Sequence, residues 1–144
     1  MEDKSLMQKL HAIASATQTT DEYVSYVEET LGRSLSARDL ANKLYKAAMI
    51  KYEASIRKRA SAIDVNCDLR AQIDGVKAFA RKHGLMSDYT FYLERLVLNG
   101  EQFDMASALN RLTEAAITIY DMRLRRKIDM STGVTIIGGY KDAV

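Results

Sequence analysis

The sequence has no proline and no tryptophan, a single cysteine and two histidines. Because proline is the residue that most effectively stops a helix, its absence favours long uninterrupted helices. Cys67 cannot form a disulfide within the chain, so we predict a reducing compartment and a cytoplasmic location. Structural zinc needs four Cys or His ligands, and Cys67, His11 and His83 are too few and too scattered. We therefore expect no metal and no cofactor.

Long hydrophobic runs are also missing. Charged residues interrupt every apolar stretch before it reaches the roughly 18 residues that span a membrane. The amino terminus is acidic and then amphipathic, unlike a signal peptide. The 144 residues are nevertheless 47% apolar, which is enough to bury one sizeable core. We predict a single-domain protein without membrane contact, with a helical bundle over residues 1–130 and an extended tail over 131–144.

Apolar residues recur at helical spacing along most of the chain and predict an all-α bundle of about six helices, two of them long. Starts are expected where Thr, Ser or Asp can cap a helix, and ends where glycine follows. The predicted starts include Thr19, in a capping box with Glu22, as well as Ser36 and Ser87. The predicted ranges are 3–17, 19–31, 37–63, 67–83, 87–99 and 101 or 104–130.

The tail differs from the rest of the chain. Residues 134–137 are β-branched and Gly138 follows them, which predicts one short β-strand. A lone strand has unpaired backbone groups, and the apolar arc of the last long helix is unusually wide, so we predict a homo-oligomer. Its predicted interface residues are Leu109, Leu112, Ile119, Leu124, Val134 and Ile136.

No arrangement typical of an enzyme is found. Glycine-rich phosphate loops and nucleophile motifs are absent. Cys67 and His83 are 16 residues apart on one predicted helix, roughly 24 Å along its axis, so they should not form a catalytic pair. His83 precedes Gly84 at a predicted helix carboxyl end. There the helix dipole would favour a protonated imidazole, so we predict a capping role for His83. We predict a non-enzymatic protein without a small-molecule substrate.

Positive charge is concentrated in the middle of the chain. Residues 36–85 contain 11 of the 21 basic residues but 5 of the 19 acidic ones. Many of these cations lie on the polar sides of two consecutive predicted helices and could form one surface for the backbone of DNA or RNA. The residues predicted to contact phosphates are Lys43, Lys46, Lys51, Arg57, Lys58, Lys77 and Arg81.

Two other interpretations remain open. The cations could simply keep the outer helix faces hydrated, and the second basic run, residues 123–127, is explained by a helix carboxyl end. Alternatively, the protein is an adaptor, chaperone or structural assembly subunit that binds another protein through the apolar face of residues 105–128 and the strand. Salt dependence separates these interpretations, because binding to phosphates weakens steeply as salt is raised.

Overall fold

A computed structural model describes residues 2–141, which form six α-helices joined by short loops. Met1 and residues 142–144, which the predicted bundle and tail ranges include, lie outside the described residues. The all-α, helical-bundle class predicted from the sequence is confirmed. The helices are α1 (Glu2–Ala16), α2 (Thr20–Glu29), α3 (Ala37–Ser61), α4 (Leu69–Lys82), α5 (Met86–Asn99) and α6 (Met105–Thr132).

Short polar side chains begin three of these helices. The Ser36 hydroxyl accepts from the Asp39 backbone N–H at 3.2 Å. The Asp68 carboxylate accepts from the Ala71 N–H at 2.8 Å, and the residue before α6, Asp104, accepts from the Ser107 N–H at 3.0 Å. Each contact satisfies a backbone donor that has no partner within its own helix. The predicted cap at Ser36 is confirmed.

Helix α2 begins after Thr19 as predicted, but the predicted side-chain cap at Thr19 and the predicted start at Ser87 are wrong. Thr19 precedes α2, but its hydroxyl makes no capping bond; the residue is fully buried, and the hydroxyl lies 2.9 Å from that of Thr17. Ser87 lies inside α5, because that helix begins at Met86, directly after the fully buried Leu85. The residues that precede these two helices, Thr19 and Leu85, are both buried, and neither makes a side-chain capping bond.

The described residues pack as two compact units. Unit 1 consists of the described residues of Met1–Tyr52 and Tyr120–Val144, and unit 2 consists of Glu53–Ile119. The division falls within both long helices, α3 and α6. The predicted single domain with a boundary after residue 130 stays a prediction.

Unit 1 has a core built from α1, α3 and α6. On α3 the buried residues recur at helical spacing, as the sequence predicted for Ala41, Tyr45, Ala48 and Met49. The remaining core side chains of this unit come from α1, from the start of α3, from α6 and from the tail. They are Leu10, Ile13, Ala14, Leu40, Leu44, Leu124, Ile128 and Ile136.

The predicted carboxyl-terminal strand is wrong: residues 133–137 adopt no regular secondary structure, and no strand occurs within residues 2–141. A strand needs a neighbouring strand, and the backbone carbonyls of this tail accept hydrogen bonds from a side chain instead. Arg125 donates through Nη1 to the carbonyl of Ile136 at 3.0 Å and through Nη2 to that of Gly138. The tail is thereby held against α6 within unit 1.

Unit 2 contains the end of α3, the helices α4 and α5, and the start of α6. Gly75 on α4 allows Ile63 to approach closely, since a Cβ at Gly75 would lie 3.2 Å from the Ile63 Cγ2. Gly84 has a φ of +70°, in the left-handed region that favours glycine, and reverses the chain between α4 and α5. No helix in the described part of the chain combines the length and the apolar character that crossing a membrane requires.

Candidate nucleic-acid interface

The seven cations predicted to contact nucleic acid are divided between the two units. Three of them lie on the part of α3 that belongs to unit 1: Lys43, Lys46 and Lys51. The other four lie on α3 and α4 in unit 2: Arg57, Lys58, Lys77 and Arg81. Within each unit, ion pairs decide which of these side chains is available to an external anion.

In unit 1, two of the three predicted lysines face carboxylates of the same unit. The Lys51 Nζ lies 3.2 Å from a carboxylate oxygen of Glu22, and the Lys43 Nζ lies 3.8 Å from one of Glu29. Lys46 has no ion pair within residues 2–141. An incoming phosphate would therefore compete with Glu22 and Glu29 for two of these three cations.

Arg57 in unit 2 is occupied more completely. Its Nη2 donates to Glu114 at 2.6 Å and its Nε donates to Glu53 at 3.1 Å. The hydrogen bond to Glu114 and then the one to Glu53 raise the pKa of Arg57. Since Glu53 lies on α3 and Glu114 on α6, Arg57 ties two helices of unit 2 together, and its charge is already balanced.

Five cations near the ends of two helices in unit 2 have no ion pair among the residues that the structure describes. They lie on the last two turns of α3 and α4, and we call them the α3–α4 cations. All but the half-buried Lys77 are exposed. Asp74, the carboxylate closest to them along α4, is paired with Arg70 at 3.4 Å. The α3–α4 cations are Lys58, Arg59, Lys77, Arg81 and Lys82.

The imidazole of His83 is influenced by cations from both α3 and α4. Burial lowers the pKa of the His83 imidazole, and the charges of Arg59 on α3 and Lys82 on α4 lower it further. The ring packs against Phe79, with centroids 4.6 Å apart. His83 does end α4, as predicted, but its lowered pKa disfavours the protonated imidazole that the helix-dipole argument assumed. At neutral pH the positive potential here comes from the arginines and lysines.

A cavity of about 530 Å³ lies elsewhere in unit 2, between the end of α3, the loop after it and the start of α6. Ala60, Met105 and Leu109 contribute apolar surface. Two polar residues that line it are already engaged: Asp104 caps α6, and the Gln72 amide donates to a backbone carbonyl at 3.0 Å. The cavity suits an apolar group better than an ion, and sequence reasoning missed it because distant segments form it.

The six predicted interface residues are mostly covered by their own chain. Leu109, Leu112, Leu124 and Ile136 are buried, whereas Ile119 and Val134 are half-buried. The role of all six in an oligomer stays a prediction. The most exposed apolar side chains of unit 2 lie on α5 instead: Phe91 is 64% exposed, Val97 80% and Leu98 83%.

The second basic run also differs from its interpretation as a helix carboxyl end. Because α6 continues to Thr132, its last turn contains no basic residue. Arg123, Arg126 and Lys127 are exposed, but Arg125 is turned toward the core of unit 1. The helix dipole therefore does not explain these positions.

The side chains that could bind a metal or act in catalysis are the histidines, the carboxylates and Cys67. Within residues 2–141, no three His, Cys, Asp or Glu side chains come together in a way that could hold a metal ion. The Cys67 thiol donates to the Asp64 carbonyl at 3.2 Å. Its pKa is raised by burial and then by the charges of Asp64 and Asp68, which favours the protonated thiol over the nucleophilic thiolate.

Comparison of the chain with protein-family models, with curated proteins and with solved structures finds no match.

Proposed function

We propose that this protein is a non-enzymatic accessory protein that binds the phosphate backbone of nucleic acid through the α3–α4 cations of unit 2. The observation that carries the proposal is the contrast in pairing: Lys58, Arg59, Lys77, Arg81 and Lys82 have no ion pair within the described residues, whereas Arg57 beside them is balanced by two carboxylates. Unpaired cations lose no internal partner when a phosphate arrives.

The burial of tyrosine supports recognition of the backbone over recognition of bases. Proteins that bind single strands through their bases stack them on exposed aromatic rings. Tyr45, Tyr89 and Tyr92 are buried, and the rings of Tyr52 and Tyr120 are stacked on each other, with centroids 4.0 Å apart. Binding should therefore depend little on sequence and strongly on salt.

Fluorescence anisotropy with labelled duplex DNA and with a single-stranded RNA of equal length tests the proposal over a series of salt concentrations. Each neutralised phosphate contributes about −0.9 to the slope of log K against log salt for a DNA duplex, and about −0.7 for a single strand. Replacing Lys58, Arg81 and Lys82 with glutamate should remove most of the slope and most of the affinity. The two nucleic acids show which backbone is preferred.

The chain offers a matched control for the change in net charge. Arg123, Arg126 and Lys127 are exposed cations of unit 1, and their triple replacement by glutamate alters the net charge equally. This control should retain nearly the wild-type salt slope. Equal losses in the two triple variants would mean that net charge alone causes the binding. Absence of binding by the wild-type protein at low salt would reject the proposal outright.

The alternative function, a protein-protein adaptor or assembly subunit, has less support in the form predicted from the sequence. Its strand is not formed within the described part of the chain, and most of the interface residues predicted on α6 are buried within their own chain. The predicted cytoplasmic location is retained as part of the present proposal, since a single half-buried thiol is suited to a reducing compartment.

A further inference from the structure

Helix α5 presents an exposed stripe in which two apolar residues enclose two opposite charges. Phe91 and Leu98 are seven residues apart, so they lie almost in line along the helix, and both are largely exposed. Glu94 and Arg95 lie between them, one on each side of that line, because successive residues are about 100° apart. We call these four residues the α5 stripe.

The two charges of the stripe have no partner among the residues that the structure describes. Neither Glu94 nor Arg95 makes an ion pair or a side-chain hydrogen bond within residues 2–141. Both are exposed, and the neighbouring Val97 is 80% exposed. Beside Glu94 the surface is slightly concave, with a hollow of about 350 Å³ lined by Thr90, Leu93, Glu94, Val97 and Leu98. The stripe therefore combines uncovered apolar surface with uncompensated charge of both signs.

The order of these residues makes the stripe complementary to itself. If a two-fold axis runs parallel to α5, residues on the central line meet their own counterparts, and each flank meets the opposite flank of the other helix. Phe91 then packs on the second copy's Phe91, Leu98 on its Leu98, and each Glu94 faces an Arg95. An antiparallel pair would instead bring Glu94 against Glu94 and Arg95 against Arg95, which like-charge repulsion disfavours.

We propose that two copies of this chain associate through the α5 stripe as a parallel pair of helices. A stable interface typically buries about 800 Å² on each partner, more than a stripe of this size offers, so the dimer is weak and depends on concentration. The interface is separate from the predicted one on α6 and the tail. It does not rest on nucleic-acid binding, and its tests contain no nucleic acid.

Charge reversal at the two flanks is the decisive test, with dimerisation of the full chain measured by sedimentation over a wide range of protein concentration. Glu94→Arg places arginine opposite arginine across the axis, and Arg95→Glu places glutamate opposite glutamate. Each single variant should weaken the dimer by about tenfold or more. The double variant Glu94→Arg/Arg95→Glu restores both pairs and should dimerise like the wild type. A mixture of the two single variants should form a heterodimer.

Glu94 and Arg95 are exposed, so the single variants are expected to fold. Recovery of the dimer in the double variant shows that the substitutions do not disrupt the fold. A wild-type chain that remains monomeric at every concentration would overturn the proposal. Single variants that dimerise as well as the wild type, or a double variant that fails to recover, would overturn it equally.

Cross-linking tests the parallel orientation. In a Cys67→Ser background, Leu98→Cys places the two new thiols opposite each other in a parallel pair and should give a disulfide-linked dimer under mild oxidation. Met130→Cys, at a position on α6 that is 77% exposed, is the matched control and should remain monomeric. Equal cross-linking of the two variants would contradict the proposed contact, because it would show that random collision is sufficient.

Discussion

Arg125 of unit 1 and Arg81 of unit 2 are both helical arginines, and each adds one positive charge to the chain. The guanidinium of Arg125 donates to the Asp121 carboxylate at 2.7 Å, to the Tyr45 hydroxyl at 2.7 Å and to two carbonyls of the tail. Arg81 is exposed and has no ion pair within residues 2–141. One side chain stabilises the fold and the other is available to a ligand, although the two residues are chemically identical.

The contacts of Arg125 form a connected network. Tyr45 donates to the same Asp121 oxygen at 2.6 Å, and the guanidinium carbon of Arg125 lies 4.8 Å from the centre of the Tyr45 ring. Hydrogen bonds to charged groups are stronger than neutral ones, and loss of one partner leaves the others unsatisfied. The free energy of unfolding should therefore respond to residues 45, 121 and 125 far more than to the α3–α4 cations.

The largest expected effect is that of Arg125→Met, which keeps an unbranched apolar stem and removes the guanidinium. Loss of its hydrogen bonds to Asp121, Tyr45 and the tail should lower the free energy of unfolding by about 2 to 3 kcal/mol. Urea denaturation followed by circular dichroism measures the change. Arg126→Met alters the adjacent exposed residue and should stay within about 0.5 kcal/mol of the wild type. Similar losses in both variants would show that Arg125 stabilises the fold no more than its exposed neighbour does.

A smaller loss is expected for Tyr45→Phe. The variant keeps the ring and the ion pair between Arg125 and Asp121 but lacks the hydroxyl, so it should cost about 1 kcal/mol in the same denaturation experiment. The control is Tyr120→Phe, which keeps the ring stacked on Tyr52 and removes a hydroxyl that makes no hydrogen bond with the described residues. If the control loses as much stability as Tyr45→Phe, the Tyr45 hydroxyl is not a special part of the network.

The same residue gives a dependence on pH. Burial, followed by the hydrogen bond to Asp121, raises the pKa of Tyr45 to about 12 from its ordinary value of 10.0. The stabilisation from the protonated hydroxyl is therefore complete below pH 10 and is lost as the pH rises from about 10 to about 12. The difference in unfolding free energy between the wild type and Tyr45→Phe should shrink across this range, and a constant difference would contradict the assignment.

Lys51 lies between the two extremes, since it is paired but exposed. Its Nζ donates to the Gln18 carbonyl at 2.6 Å and to Glu22 at 3.2 Å. Exposed pairs contribute little, so Lys51→Met should lower the free energy of unfolding by about 0.5 kcal/mol, and less at high salt. Lys46→Met, on the same helix and without an ion pair, is the comparison and should leave stability unchanged at either salt concentration.

The smallest effect on stability is expected at the α3–α4 cations. Arg81→Met or Lys82→Met should change the free energy of unfolding by less than about 0.5 kcal/mol. Each should nevertheless reduce the salt slope of nucleic-acid binding by about 1, because one phosphate contact is lost. A large loss of stability in either variant would place that residue in the same class as Arg125.

Local sequence signals predicted the helices of this protein well. Short polar caps and single glycines interrupt the apolar periodicity, and each acts within a few residues of its own position. Gly100, for example, ends α5 in the left-handed conformation that its position predicted, with a φ of 66°. Thr19 does precede α2 as predicted, but its hydroxyl is buried and does not cap the helix. Ser87 does not begin α5, because that helix starts one residue earlier, after the buried Leu85.

Long-range contacts explain what the sequence could not predict. The strand was expected from the β-branched residues 134–137, but a guanidinium nine residues before Val134 satisfies carbonyls of the tail. Similarly, the pairing of Arg57 with Glu114 spans 57 positions and cannot be read from helical periodicity. The basic face of α3 was predicted from residue types, yet which of its cations are free depends on acidic residues of other helices.

The loop between α3 and α4 contains Cys67, the one sulfhydryl of the chain, and it is half-buried. A maleimide fluorophore would attach to this protein at one position without prior mutagenesis, two residues before the first turn of α4. Because the sequence contains no indole, tyrosine supplies the intrinsic emission and a visible dye would be free of interference. The wild-type chain is thus suited to single-molecule spectroscopy as it stands.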